Sequence, residues 1–241
     1  MRFENSVAVI TGAGSGIGRE IARALWREGA TVCLVGRDLT RLKTAIPSTG
    51  GGQERVRCYP MDITRDEEVI RFGRSLQDDY GRVDALIHSA GLFAYGAWES
   101  IAMDELDLLY KTNLRAPVLL TQVLLPALKK SRGQIIFINS SAVRSARAKD
   151  GAYTATKHGL NAFANSLREE VNSAGIRVIS VYPGRTATPM QNMVCKLEGR
   201  NYIPEWFLKA EEVADTAVYT MGMPRSAEVT ELHIRPMSKS I

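Results

Sequence analysis

Glycines near the start of the chain form the first cluster able to do chemistry. Within seven residues, between an apolar run and a helical pattern, stand Gly12, Gly14, Gly16 and Gly18. Glycines permit positive φ angles and let a pyrophosphate approach the backbone, while amides at a helix start donate to an anion. The spacing is T-G-x-x-x-G-x-G; the common fingerprint G-x-G-x-x-G is not met. We interpret the loop as a dinucleotide-phosphate cradle. The alternative is a glycine-rich turn with packing duties alone.

The end of the second apolar run indicates which dinucleotide this loop would hold. The acidic residue that usually binds an adenosine ribose is expected at position 36, but the chain has Gly36 followed by Arg37. Without a carboxylate nothing repels a 2′-phosphate, and Arg37 offers a cation. We therefore predict NADP(H), with NAD(H) possible; the alternative is an arginine that faces solvent. Asp62 is placed to hydrogen-bond the adenine. The alternative is that Asp62 caps the helix that follows.

The elements that must position these residues alternate along the whole chain. Apolar runs predict strands at 7–10, 31–35, 56–59, 84–88, 135–138, 177–181 and 231–234, and helical spacing predicts helices at 17–28, 65–80, 103–130, 151–173 and 210–220. Pro117 and Pro126 predict that the 103–130 segment is two helices or one kinked helix. Strands that are apolar on both faces indicate a parallel sheet covered by helices. We predict one α/β domain over residues 1–241, a Rossmann-type doubly wound parallel sheet of about seven strands.

Composition excludes several classes of protein. The chain is 45% hydrophobic and 24% charged, ordinary values for a globular protein, which excludes disordered, collagen-like and disulfide-scaffold classes. No apolar stretch approaches the length of a membrane helix, and the N-terminus has no secretory-signal pattern. The three cysteines, Cys33, Cys58 and Cys195, are odd in number and widely spaced. We expect a cytoplasmic protein with no metal site and no membrane partner.

The net charge of +5 suggests a polyanion binder as a further possibility. A nucleic-acid surface needs a continuous basic stripe with interleaved aromatic residues. Here the basic residues are dispersed among acidic ones, as in the run Arg65-Asp66-Glu67-Glu68. We therefore expect no nucleic-acid partner and assign part of the charge to binding a phosphorylated dinucleotide.

The glycine loop, taken with the segment Tyr153-Thr154-Ala155-Thr156-Lys157, resembles the single-domain form of the short-chain dehydrogenase/reductase family. The resemblance runs through Tyr182-Pro183-Gly184 to the last predicted strand. It implies an oxidoreductase that acts on CH–OH or C=O groups with a nicotinamide cofactor and assembles as a homodimer or homotetramer. It also implies a catalytic tetrad, whose members match Asn113, Ser140, Tyr153 and Lys157.

The resemblance implies a role for each member of the tetrad. Tyr153 is the acid/base group, which in reduction donates a proton to the carbonyl oxygen as hydride arrives at the carbon. Lys157 is four residues away on the same helix, so it would lie on the same face and lower the phenol pKa. Asn113 matches the asparagine whose backbone holds a water linked to the lysine.

The serine of the tetrad is ambiguous between two neighbours. The family pattern S-S-x-x-G would favour Ser141, but the chain has Arg144 in place of the glycine. Counting from Gly133 at the strand start, and back from Tyr153, selects Ser140 both times. We predict that Ser140 hydrogen-bonds the substrate oxygen, with Ser141 in reserve.

One motif departs from the family pattern. The family's N-N-A-G after the fourth strand is His88-Ser89-Ala90-Gly91 here, which we expect to affect local stability more than chemistry, with His88 a structural group. The loops and the resemblance together predict cofactor contacts from Gly12, Gly14, Ser15, Gly16, Ile17, Gly18, Gly36, Arg37, Asp62, Ile63, Ser89, Ala90, Gly91, Asn113, Tyr153, Lys157, Pro183, Gly184, Thr186 and Thr188.

Two loops, at about 92–98 and 190–208, are predicted to face the substrate. They hold six of the seventeen aromatic residues: Phe93, Tyr95, Trp98, Tyr202, Trp206 and Phe207. This concentration indicates an apolar ligand pocket, or alternatively a lid packed onto the body. The predicted function is an NADPH-dependent carbonyl reductase, reversibly an alcohol dehydrogenase, acting on a ketone or aldehyde in an apolar pocket, with Tyr153 as the acid/base. The alternatives are an NAD-dependent dehydrogenase of the same family and a non-catalytic dinucleotide-sensing or scaffold protein.

Overall fold

The structure of the protein, a computed structural model, describes residues 1–48 and 51–237. Its strands are β1 (Val7–Thr11), β2 (Thr31–Gly36), β3 (Val56–Pro60), β4 (Ala85–His88), β5 (Gln134–Ile138), β6 (Arg177–Pro183), β7 (Thr186–Ala187), β8 (Leu208–Lys209) and β9 (Glu231–Ile234). Seven of them form one parallel sheet in the order β3-β2-β1-β4-β5-β6-β9, and β7 pairs with β8. The strand order reverses between β1 and β4, which is where a ligand crevice opens in such sheets.

Helices cover both faces of this sheet. They are α1 (Gly16–Arg27), α2 (Leu39–Lys43), α3 (Asp66–Asp79), α4 (Met103–Tyr110), α5 (Ala116–Ser131), α6 (Gly151–Val171), α7 (Pro189–Leu197) and α8 (Ala210–Met221). One apolar layer contains α1 and α8, and the other contains α3, α5 and α6. Along β1, Ala8 and Ile10 enter the first layer while Val7 and Val9 enter the second. Burial on both faces explains the unbroken apolar runs and confirms the predicted fold class.

The predicted boundaries agree with the observed ones to within two residues, except in the 103–130 segment. There the helix is interrupted by a π turn at Lys111–Arg115, rather than at either proline. Pro117 lies in the first turn of α5, where its missing amide has no helical partner to lose, and Pro126 is accommodated inside α5.

Helices α2 and α7 and the short strands β7 and β8 were not predicted. The segment 190–208, expected to be a loop, begins with α7. The local signal for this helix is Thr188, whose hydroxyl accepts a hydrogen bond from the Gln191 amide at 3.2 Å, followed directly by Pro189. Across the described ranges, no helix combines the length and apolar character needed to cross a membrane.

Candidate active site

Tyr153 and Lys157 lie side by side on α6, at the edge of the sheet where the strands end. Both are buried, and the Lys157 Nζ lies 5.8 Å from the centroid of the Tyr153 ring. The ammonium donates a hydrogen bond of 3.0 Å to the carbonyl of Ile138, the last residue of β5. The strand end therefore fixes the position of Lys157 beneath the phenol.

Ser140 is the serine that the structure places beside the phenol. Its hydroxyl is hydrogen-bonded to Tyr153, and its Oγ also accepts the amide of Ala142 at 3.1 Å, at the start of a 3-10 turn. Ser141 is exposed. The ring of Phe93 lies 5.0 Å from the Tyr153 ring and closes another side of the site. The structure thus brings Ser140, rather than Ser141, to the acid/base candidate.

Burial controls the ionisation of both titratable groups. It raises the pKa of Tyr153 above its ordinary value; the hydrogen bond from Ser140 opposes this rise, and the negative charge of Asp150 adds to it. Burial also lowers the pKa of Lys157 to about 8. The expected lowering of the Tyr153 pKa by Lys157 is absent from the protein alone, because the ammonium is directed to the Ile138 carbonyl and desolvation of the phenolate dominates.

Asn113 lies inside the π turn and connects three parts of the site. Its side-chain oxygen accepts the Leu92 amide at 2.8 Å, and its Nδ2 donates to the Leu92 carbonyl at 2.9 Å. The same Nδ2 donates to the Thr156 hydroxyl at 3.0 Å, between Tyr153 and Lys157 on α6. The side chain is fully used in these bonds. Any further role of Asn113 therefore falls to its backbone, which a π turn takes out of the regular helical ladder.

The glycine loop has the geometry of an anion cradle. Gly12 has φ +68°, and a Cβ there would come within 2.9 Å of the Ala90 backbone; a Cβ on Gly18 would come within 2.7 Å of the Gly12 carbonyl. The first turn of α1 contains no acidic residue, and its N-cap, Ser15, makes no side-chain capping bond. The amides at 16–18 are therefore available to a diphosphate, so this loop fits a dinucleotide.

Thr11, which precedes the loop, is a supporting residue that the predicted site did not include. Its hydroxyl accepts the amides of Ser89 and Ala90, both at 3.1 Å, and donates to the Ile87 carbonyl at 3.3 Å. These bonds join β1 to the segment after β4 and hold Gly91 near the tetrad. A Cβ on Gly91 would lie 3.4 Å from the Asn113 Oδ1.

The predicted adenosine-side residues lie at the ends of β2 and β3. Arg37 is exposed directly after Gly36. Arg41 on α2, which sequence reasoning missed, lies against the glycine loop: its Cβ is 3.1 Å from the Cβ position of Gly14. Asp38 caps α2 and pairs with Arg41 at 3.3 Å, so this carboxylate is already engaged.

Asp62 and Ile63 follow β3. The Asp62 carboxylate accepts the amide and hydroxyl of Thr64, at 2.9 and 2.7 Å, while Arg65 occupies the N-cap of α3. The competing prediction that Asp62 caps that helix is therefore wrong. Burial opposes ionisation of Asp62, but the Thr64 hydrogen bonds and the charge of Arg37 outweigh it and lower the pKa. Ile63 packs partly buried against the core.

The segment after β6 reaches the same end of the sheet. Gly184 follows Pro183, and its amide donates to the Ile234 carbonyl at 2.7 Å. Thr186 lies in β7, and Thr188 caps α7. The Thr188 side chain approaches the Cβ position of Gly16 to 3.1 Å, so this segment closes onto the glycine loop.

The two aromatic groups predicted to face one pocket occupy different places. Phe93, Tyr95 and Trp98 pack around the start of α6: Tyr95 lies beneath the Lys149 ammonium at 5.7 Å, and Trp98 packs against Gly151. In the other group, Tyr202 stacks on Phe207 at 5.7 Å, and Trp206 and Phe207 border a separate cavity of about 300 Å³. The remaining lining residues of that cavity are Arg185, Cys195, Arg200, Asn201 and Ile203. No member of the tetrad lines that cavity. Of the aromatic residues in these two segments, Phe93 is the one whose ring packs against Tyr153 among the described residues.

His88, the departure from the family pattern, is a buried structural group. Its Nε2 is 2.9 Å from the Thr121 hydroxyl, and its ring stacks on Phe137 at 4.9 Å. Burial lowers its pKa to about 3. The imidazole is therefore neutral, and it joins β4 to α5 where the family pattern has an asparagine.

His88 is expected to make the protein acid-sensitive. Below pH 6.5 the unfolded chain protonates this residue while the folded chain does so only near pH 3, so stability falls as the pH drops through that window. Between pH 7 and pH 4.5, wild type should lose about 3 kcal/mol more unfolding free energy than His88→Asn, measured by urea denaturation. His158→Asn, which alters an exposed histidine, should behave as wild type. Equal losses in wild type and His88→Asn would contradict the assignment.

Comparisons with known proteins agree with this geometry. A family model described as short chain dehydrogenase matches residues 6–198. An uncharacterized oxidoreductase of Staphylococcus aureus (strain USA300) is 30% identical over 234 residues, which cover 97% of this chain and 98% of the relative.

Solved structures with the same fold contain nicotinamide cofactors. A metagenomic short-chain oxidoreductase in complex with NADP is 29% identical, with a TM-score of 0.82 over 99% of this chain and 100% of its own. A 3-ketoacyl-(acyl-carrier-protein) reductase from Brucella melitensis complexed with NADH is 26% identical, with a TM-score of 0.84 over 96% and 97%. The likeness covers at least 96% of each chain rather than one motif.

Proposed function

Because the chain belongs to the short-chain dehydrogenase family and is an oxidoreductase, we propose that it is an NADPH-dependent carbonyl reductase for a small ketone or aldehyde. The observation that carries the proposal is the convergence of Ser140, Tyr153 and Lys157 at one buried point, with Asn113 fixing the adjacent backbone. Phe93 supplies an apolar wall beside the phenol.

Each side chain of the site has a distinct role in the proposed reaction. The hydroxyls of Ser140 and Tyr153 are hydrogen-bonded to each other, so a carbonyl oxygen entering between them would accept from both. NADPH, when bound in the glycine cradle, supplies the hydride. Tyr153 donates its proton to the developing alkoxide, and the ammonium of Lys157 stabilises the phenolate that is left.

The direction of the Tyr153 pKa fits its proposed role as the proton donor in reduction. Burial raises the Tyr153 pKa, so the phenol carries its proton at neutral pH and is ready to donate it. Oxidation of an alcohol needs the phenolate instead, and the protein alone opposes its formation. The alternative is an NAD-dependent dehydrogenase of the same family working oxidatively.

The preference for NADPH rests on the end of β2. Arg37 follows Gly36 at the end of β2, and Arg41 lies against Gly14 of the glycine loop. The carboxylate of Asp38 is occupied by its own helix and by Arg41. A 2′-phosphate placed here would meet cations without a free acid. In the NADPH-bound enzyme, Arg37 and Arg41 would contact the 2′-phosphate.

Arg37→Ala is expected to lower kcat/KM for NADPH about 10- to 100-fold, because a charge-assisted bond to the 2′-phosphate is lost. The value for NADH, which lacks that phosphate, should change by less than about threefold. Arg74→Ala, on the exposed side of α3, is the matched control. A wild type that prefers NADH would overturn the proposed cofactor.

The experiment that tests the function is a panel of ketones and aldehydes with loss of NADPH absorbance as the readout. We expect turnover of several compounds with apolar substituents. NADPH binding without turnover of any member would instead favour the alternative of a dinucleotide-sensing or scaffold protein. The same panel with NADH and with alcohols plus NADP⁺ separates the dehydrogenase alternative.

Assembly and location complete the proposal. We propose that a homodimer or homotetramer forms by pairing the helices over residues 113–130 and 151–173, which include α5 and α6. The large apolar side chains of Met103, Leu108 and Tyr110, left exposed on the adjoining α4, support an interface on this side. Light scattering coupled to size exclusion would measure the oligomeric state.

The free thiols of Cys33, Cys58 and Cys195 support a reducing, cytoplasmic location.

A further inference from the structure

A second concave site lies at the end of the sheet opposite the tetrad, where the strands begin. Its volume is about 220 Å³. The first residues of β5 and β6, the C-terminal end of α8 and part of the N-terminal segment form its walls. Three arginines line it, Arg2, Arg177 and Arg225, against one carboxylate, Asp84. Nothing in the proposed reaction uses this cavity.

Arg177 is a buried cation that has only neutral acceptors. Its side chain is one of the few charged ones in the core. Its terminal nitrogens donate to the Gln134 side chain and to carbonyls after α8, including Met221 at 2.8 Å and Met223 at 3.1 Å. Its Nε has no hydrogen-bond partner. A buried guanidinium without a counter-ion is costly, and carbonyl dipoles offset only part of that cost.

The charges around the cavity do not cancel. Asp84 is engaged by Arg82 and by the Val7 amide at 2.9 Å, so it is not available to the cavity arginines. Arg2 pairs with Glu28 at 3.8 Å, whereas no carboxylate within residues 1–48 and 51–237 forms an ion pair with Arg177 or Arg225. Burial, and then the like charge of Arg225, lowers the pKa of Arg177, against the opposing charge of Glu228. Three arginines and one carboxylate therefore line the cavity, while Glu28 and Glu228 act from outside its lining.

We propose that this cavity binds a small oxyanion, a phosphate or the phosphoryl group of a small metabolite, with Arg177 at its floor and Arg2 and Arg225 at its rim. Guanidinium groups present paired donors that match phosphate oxygens; Arg2 and Arg225 supply such donors at the rim, and the buried charge of Arg177 attracts an anion from the floor. The volume lies below the range of sites for larger ligands, which limits the occupant to a small group. The site is independent of the carbonyl chemistry at the other end of the sheet.

The test is thermal unfolding of the enzyme in inorganic phosphate, with NADPH saturating so that the dinucleotide site is already filled. Sodium chloride at equal ionic strength is the reference. An anion that binds only the folded chain, at about a hundred times its Kd, should raise Tm by about 5–10 °C. A phosphate effect no larger than that of sodium chloride would overturn the proposal.

Variants assign the effect to this cavity. Arg225→Ala and Arg2→Ala should each raise the Kd for phosphate at least about tenfold, and Arg225→Lys should retain part of the affinity. Arg74→Ala, on a distant helix, should bind as wild type. Arg177→Ala is not needed, since that side chain also holds the end of α8. Unchanged affinity in both rim variants would overturn the assignment.

The source of the phosphoryl group is identified with a second probe. Glycerol phosphate that binds more tightly than inorganic phosphate, and loses that affinity in Arg225→Ala, would assign the site to a metabolite's phosphoryl group. Equal affinity would assign it to free phosphate. Both results support an oxyanion site, whereas binding of neither probe refutes it.

Discussion

Tyr153→Phe is expected to lower kcat for carbonyl reduction about 1000-fold while the Kd for NADPH stays unchanged. The substitution removes one hydroxyl and keeps the ring that packs against Phe93 at 5.0 Å. The cofactor cradle is built from other elements, so its geometry has no reason to change. Ser140 loses one partner but keeps the Ala142 amide at 3.1 Å, so it stays in place.

Two measurements on the same variant distinguish a loss of catalysis from a loss of NADPH binding. Fluorescence titration reports NADPH binding, and single-turnover kinetics report the chemical step. Tyr59→Phe, which removes the hydroxyl of a half-buried tyrosine on β3, is the matched control and should turn over as wild type. Turnover by Tyr153→Phe near the wild-type rate would exclude Tyr153 as the proton donor. A parallel loss of NADPH affinity would point to a binding role instead.

The fold was predictable because its signals are local and repeated. Strands such as β1 alternate between two apolar layers, so every position is apolar and the parallel sheet is visible in the sequence. The interruption at Lys111–Arg115 was not visible, because no residue type marks a π turn and the two prolines suggested other positions. Helix α7 did carry a signal, in Thr188 and Pro189.

The candidate site was predictable in its members but not in its electrostatics. Spacing and resemblance named Tyr153 and Lys157, and the structure brings them together. The direction of the Tyr153 pKa depends on burial and on where the Lys157 ammonium points, and neither follows from spacing. The aromatic count likewise located two segments, but only tertiary structure shows that Phe93 contacts the phenol while Phe207 borders another cavity.

Lys157 combines the cost of a buried charge with the need for that charge in catalysis. Burial lowers its pKa to about 8, so at pH 7 the folded protein holds a desolvated ammonium at a cost of about 3 kcal/mol. Its hydrogen bond to the Ile138 carbonyl offsets about 1 kcal/mol of this cost. The protein therefore keeps, at its centre, a residue that lowers its own stability.

Lys157→Met should consequently stabilise the protein by about 2 kcal/mol at pH 7, or about 4–8 °C in Tm, while lowering kcat/KM about 100-fold or more. The gain is pH-dependent. Between pH 8 and 10.4 the folded wild type has lost the proton and the unfolded chain has not, so wild-type stability rises with pH. By pH 9.5 the two proteins should be about equally stable.

Urea denaturation at pH 7 and 9.5, with NADPH-dependent reduction measured on the same preparations, checks both halves of this prediction. Lys129→Met, on the exposed side of α5, should leave activity unchanged and show no pH-dependent gain in stability. A less stable Lys157→Met at pH 7 would mean that the ammonium is solvated or paired in the folded state. Lys157 would then stabilise the fold as well as the phenolate, and function and stability would not be opposed at this position.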